Sequence, residues 1–281
     1  MLAVLGGLGA AFAWAATTIA ASRAMRLIDV PSLLASVMAV GLLIAAPAAA
    51  IVGVPSALDA HSLAWMTVSG VGNVVGLLFT YSALRIGKVG LVAPITSTEG
   101  AVAAVIAVVA GESLSPGSGV TLAAIAVGVA LAAVSPGEEA VRHSDRRAIL
   151  FAAGAALAFG FGLYATGRVG QDLGVAWAVL PPRVVGVAVI ALPLALARRW
   201  RMRRAAVPYV VVAGICEVLG FASFSFGARH GLAVSAVLAS QFAAIAAVIG
   251  YLALGERLGR VQIAGIVTIV VGVSVLSALH G

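Results

Sequence analysis

Apolar runs of about 20 residues, separated by short polar connections, recur from one end of the chain to the other. Within the runs the apolar residues are continuous. They do not alternate with polar ones as they would on a barrel strand with one wet face, so the pattern predicts helices. Breakers and charges place ten spans at roughly 2–22, 32–54, 62–84, 89–110, 117–135, 148–168, 175–197, 207–228, 233–254 and 260–279. Short connections make successive helices antiparallel neighbours. The longest polar stretch, Ser135 to Arg147, lies near the middle and divides five helices from five: 1–135, a linker 136–147, and 148–281.

The two halves resemble each other. At an offset of 144 residues, 70–133 aligns with 214–277 without a gap, matching Gly70 with Gly214, Gly76 with Gly220, Arg85 with Arg229 and Glu112 with Glu256. At an offset of 145, Gly9-Ala10-Ala11 matches Gly154-Ala155-Ala156, Trp14 faces Phe159, and Arg23 faces Arg168. An odd number of helices per half makes the second enter the membrane from the opposite side. The expected fold is therefore an all-α membrane protein of ten transmembrane helices in two inverted five-helix repeats.

Composition sharpens this picture. Of the 281 residues, 62% are hydrophobic and 10% charged, too apolar for a soluble domain of this length. The net charge of +7 does not mark a nucleic-acid face, because the basic residues sit in the connections. Fourteen of the 17 Lys and Arg follow odd-numbered spans and two follow even-numbered ones. The positive-inside rule then puts the odd connections in the cytoplasm and both termini outside. Cys216 is the single cysteine and lies within a span, so neither an internal disulfide nor a thiol metal site is expected. Residues 2–22 lack a basic leader and a cleavage site and read as a retained helix.

Few polar groups lie inside the spans, and an ionisable side chain at mid-bilayer costs at least about 2.5 kcal/mol on insertion scales. Glu99, Arg183 and Glu217 stand out. Glu217 has Gly214 and Gly220 three residues to either side, and its repeat partner is Asn73 between Gly70 and Gly76. Glu217 either lines a cavity or hydrogen-bonds a neighbouring helix. Arg183 follows Pro181-Pro182, which predicts a kink beside a fixed positive charge. It either receives a substrate carboxylate or pairs with Glu217. Glu99, five residues after Pro94, either exchanges a proton from a partly dry cavity, as the candidate proton-coupling group together with Glu217, or pairs with Arg183 or the backbone of a neighbouring helix. Trp14, Asn73, Arg183, Glu217 and Gln241 are the candidate substrate contacts, with Thr17, Thr18 and Ser240 beside them. Tyr81 and Tyr164 are expected as interface anchors, and Glu112 and Glu256 as hairpin residues before the spans that follow them. The four histidines fall near span ends, and neither H-E-x-x-H, G-x-S-x-G nor a Walker motif is present, so no catalytic centre, resident metal or cofactor is expected.

Gly111-Glu112-Ser113-Leu114 and Gly255-Glu256-Arg257-Leu258 each close one apolar helix ahead of a glycine-punctuated one. With 252–273 (LALGERLGRVQIAGIVTIVVGV) and Trp14, they resemble the repeat signature of the EamA family, the ten-helix branch of the drug/metabolite transporter superfamily. The resemblance spans the whole chain as five plus five helices. It implies an inner-membrane carrier, commonly an exporter of amino acids, related metabolites or drugs, with a cavity between the halves. It also implies termini in the cytoplasm, opposite to the charge count. The expected function is secondary active transport of a small organic metabolite by alternating access, in a chain that works as a monomer, with protons as a possible coupling ion. Mixed charges in the spans suit an amino acid or another zwitterion. The rival readings are an intramembrane enzyme acting on a lipid or isoprenoid and a non-transporting membrane scaffold.

Overall fold

The structure, a computed structural model, describes residues 1–86, 92, 95–132, 146–254 and 259–280. Linker residues 136–145, together with Glu256 and Arg257 of the second repeat signature, lie outside the described residues. Apolar sequence becomes helix throughout: α1 (Leu2–Ala24), α2 (Val30–Val52), α3 (Ala60–Ile86), α4 (Glu99–Val109), α5 (Pro116–Ala132), α6 (Arg146–Asp172), α7 (Val175–Leu196), α8 (Val207–Ala228), α9 (Leu232–Ala239), α10 (Phe242–Leu254) and α11 (Arg260–His280). Local chemistry sets several ends. Asp29 accepts from the Ser32 amide at 2.8 Å ahead of α2, with Pro31 in the first turn. Asp59 and Ser62 cap α3 reciprocally: each side chain accepts from the other's amide, at 2.8 and 2.9 Å. Gly53, at φ 80°, ends α2.

Six of these helices are long and apolar enough to cross a bilayer, and the shorter apolar ones pack among them. Large apolar side chains face outward, Phe12 at 61%, Leu43 at 75% and Ile51 at 86% exposure. Such a surface is stable only against hydrocarbon, so the chain is a multi-pass membrane protein.

Pro181-Pro182, where a kink is expected, lie inside a continuous helical segment. The helix runs through both prolines and widens one turn later into a π segment, Val187–Ala191, where the Leu192 amide reaches back to the Val187 carbonyl. Pro193 follows at once and cannot donate to Val189, so the slack falls there. The fourth and ninth spans are broken outright. Ser97-Thr98 interrupts the helix before α4, and Ser240-Gln241 separates α9 from α10.

The helices of one half pack chiefly on those of the other. α3 lies on α6 as α1 lies on α8; α4 meets α6 as α9 meets α1; and α2 and α7, α4 and α9, and α5 and α11 meet as pairs. Small residues carry these approaches, and four of the glycine contacts have a counterpart with the halves exchanged. Gly9 faces Ser223 and Gly154 faces Phe79; Gly70 faces Val185 and Gly214 faces Val40. Gly76 faces Phe159 and Gly220 faces Trp14; Gly128 faces Ile269 and Gly272 faces Ile125. Each second contact is the first moved along the chain by 144 or 145 residues. With lipid tails as apolar as the side chains, close backbone approach is what drives such association. Every residue of α9 is buried, and it forms the centre of the core with Phe221, Phe224 and Tyr164. Tyr164 is 5% exposed, stacked edge-on to Trp65 at 5.4 Å, so it is a core residue and not an interface anchor.

Candidate functional site

Between the halves lies a cavity of about 160 Å³. Four helices supply most of its wall, each with residues at helical spacing: Trp14, Thr17 and Thr18 from α1; Ser69, Asn73 and Leu77 from α3; Phe159, Gly162 and Leu163 from α6; Glu217 and Phe221 from α8. Glu99 and Phe242 complete it, and both are the first residue after a helix break. The wall repeats the exchange seen in the packing. Trp14 pairs with Phe159, Thr17 with Gly162 and Thr18 with Leu163 at an offset of 145, and Asn73 with Glu217 and Leu77 with Phe221 at 144.

Two carboxyl groups face this space. Glu99 opens the first turn of α4 at 9% exposure, where helix amides favour a negative charge. Glu217 is 16% exposed at its side chain, and the Arg183 guanidinium approaches it from behind, Nη1 to Oε1 at 3.8 Å. Among the described residues this is the one ion pair. Arg183 also donates from Nη2 to the Glu217 main-chain carbonyl at 3.1 Å, and its Nη1 lies 3.9 Å from the Met38 sulfur. Its guanidinium sits 4.6 Å from the centroid of Phe221.

Trp14 lines the cavity and meets Phe221 edge-on at 5.3 Å and Phe242 at 6.4 Å. Its indole nitrogen, packed on Gly220 of α8, and the Asn73 side-chain oxygen are both buried and have no hydrogen-bond partner among the described residues.

Of the expected contacts, then, Trp14, Asn73, Glu99 and Glu217 come together on the cavity wall. Arg183 and Gln241 do not reach it. Arg183 is fully buried with its guanidinium on the Phe221 ring, and Gln241 is 3% exposed inside the α9–α10 break, its amide nitrogen without a partner among the described residues. Among the described residues that line the cavity, the charged side chains are the carboxyl groups of Glu99 and Glu217. Ser69, Leu77, Phe159, Gly162, Leu163, Phe221 and Phe242 were not anticipated. Ser69, Leu77 and Phe221 stand four residues from Asn73 or Glu217, and Phe159, Gly162 and Leu163 are the repeat counterparts of Trp14, Thr17 and Thr18; those two spacings are the signal that would have found them.

A second, polar opening lies at one end of the bundle, lined by Glu112, Ser113, Arg168, Gln171, His230 and Gly231. Glu112 was expected to serve the helix that follows it. Instead both of its oxygens accept from the Ala233 amide, at 3.1 and 3.2 Å, at the start of α9 in the other half. Burial pushes the Glu112 carboxyl up, against the pull of the Ala233 and Leu232 amides. Because its folded value lies above its unfolded one, the stability it contributes is fully present below the unfolded value. That contribution is lost as pH rises through the folded value. Glu112→Gln keeps an acceptor for Ala233 and is expected to remove this pH dependence. Glu112→Ala should cost about 1 kcal/mol, the usual loss of a helix cap. Thermal unfolding in detergent between about pH 4 and pH 8 checks both.

Two segments of the chain, residues 1–134 and 146–278, each match the EamA-like transporter family. No curated protein matches the chain. A protein solved by crystallography is similar in fold, with a TM-score of 0.82 over 99% of this chain and 96% of that one, at 19% sequence identity. Matches that together cover nearly the whole length leave one assignment: the chain belongs to the EamA-like transporter family.

Proposed function

We propose that this protein is a secondary active carrier of a small organic molecule, built from ten spans as two inverted five-helix repeats, 1–135 and 148–281. It works by alternating access in the cell membrane as a monomer. The observation that carries this reading is the cavity wall: five pairs of its residues are related by the repeat offset. A site centred between two equivalent halves can be opened to either side by rocking one half against the other. The breaks at Ser97-Thr98 and Ser240-Gln241, one beside each of Glu99 and Phe242, support it further, since irregular backbone at this depth is tolerated where it lines a site. Asn73 and the ring of Trp14 line the space that holds the substrate, while Glu99 and Glu217 exchange protons for it. This arrangement uses an inward proton gradient to drive export.

Reconstituted flux tests the reading. Vesicles holding the native chain are expected to accumulate or release a transported compound faster when a pH gradient is imposed. Glu99→Gln, monodisperse and folded, is expected to lose the gradient-driven part by about tenfold or more, the usual scale for removing a proton-transfer group. Flux and gradient response equal to native in Glu99→Gln would remove the proton-exchange assignment. Absence of flux across a broad panel of small metabolites would remove the carrier.

A further inference from the structure

The substrate class follows from which charges reach the cavity, given the carrier site above. Two carboxylates line the wall, and among the described residues no Lys, Arg or His does. Arg183 does not line the cavity and is fully buried against Phe221, held by three partners at once: the Glu217 carboxylate, the Glu217 main-chain carbonyl and the Met38 sulfur. Its stem also packs on Gly41, where even a Cβ would lie 2.7 Å from the Arg183 Cδ. The repeat counterpart of Arg183 is Met38, and that of Gly41 is Gly186, which packs on Met38 in turn. Arg183 therefore occupies an interior packing position that the other half fills with a neutral side chain.

One unit of negative charge on Glu217 is balanced by Arg183, and Glu99 has no cation within salt-bridge distance among the described residues. Four aromatic rings, Trp14, Phe159, Phe221 and Phe242, enclose the rest of the space. From this we infer that the carried molecule is an organic monocation, an amine with an aromatic or apolar body. Its ammonium group meets Glu99, and its body lies among the rings. Carboxylate contact and ring faces both favour a cation. A carboxylate on the same body would be set against Glu99 and Glu217 with no cation to pair it among the described lining residues, and the low dielectric of the site enlarges that penalty.

Equilibrium binding to the purified full-length chain tests this with three probes sharing one ring: 2-phenylethylamine, phenylalanine and 3-phenylpropionate. The amine is expected to bind about tenfold or more tightly than phenylalanine, and 3-phenylpropionate not to compete. Glu99→Gln should weaken the amine by about tenfold or more. Arg183→Met, the residue found at the equivalent place in the first half, leaves the Glu217 carboxylate unpaired at the wall and should hold or raise amine affinity. The inference is overturned if phenylalanine or 3-phenylpropionate binds more tightly than the amine and loses affinity in Arg183→Met, since the guanidinium would then be reaching the ligand. Absence of saturable amine binding overturns it as well. Flux separates this from the carrier reading: amine binding without amine transport leaves the site and removes the carrier, whereas phenylalanine transport without amine binding does the reverse.

Discussion

Arg183→Ala lowers the stability of the protein by about 3 kcal/mol, measured as a drop in the unfolding transition in detergent. Removing one partner of a buried pair typically costs about 3 to 5 kcal/mol, because the remaining charge is left without compensation. Here the remaining charge, Glu217, is 16% exposed and borders the cavity, so water recovers part of the loss and the lower end applies. The main-chain carbonyl of Glu217 and the buried face of Phe221 lose their partner too. The double substitution Arg183→Met with Glu217→Gln removes both charges while keeping the packing against Gly41, and is expected to recover most of the loss. A single Arg183→Ala variant as stable as the native chain would mean that the pair does not form.

Gly72→Val is expected to cost more than any other single change at the α3–α6 interface, at least about 3 kcal/mol, with failure to assemble as the extreme. A Cβ at Gly72 would lie 2.7 Å from the Ala158 carbonyl oxygen, 2.9 Å from the Gly162 Cα and 3.0 Å from the Gly162 nitrogen. All three are backbone atoms, so no rotamer change relieves them and α3 must move from α6. Asn73 and Gly162 both line the cavity, and the same displacement would open the site. Gly119, where a Cβ would meet nothing within 4 Å, is the control. Gly119→Ala should be neutral or gain about 0.5 kcal/mol by restricting the unfolded chain. Unfolding transitions of the two variants, compared in the same detergent, decide the matter.

The elements of this fold were legible because their signal is local. Hydrocarbon forces each span to satisfy its own backbone, so runs of apolar residues read directly as helices, and Asp29 and Asp59 mark two of the starts by capping chemistry. The offset of 144 to 145 residues was equally visible. What the pattern could not supply was azimuth. The depth of Arg183 in its span follows from counting. Its position against Phe221 depends on how α7 and α8 are rotated, and no local rule fixes that. The offset held a clue in Met38, since a charged residue whose counterpart is apolar occupies a packing position in at least one half. Glu112 failed for a related reason. Its hydrogen-bond partner is 121 residues away in the chain, and the nearer helix start looked equally suitable. The breaks at Ser97-Thr98 and Ser240-Gln241 contain neither proline nor glycine, so the usual punctuation was missing.

Access to the cavity is the property that separates a carrier from a pore or a sealed scaffold. A cysteine at Thr18 in a Cys216→Ala background, reconstituted in vesicles of one orientation, reports it through membrane-impermeant thiol reagents applied to one face at a time. Alternating access predicts labelling from a single face in the resting protein and a shift toward the other face when transported substrate is added. Labelling from both faces at once, or a Thr18 cysteine that neither face reaches under any condition, would contradict it.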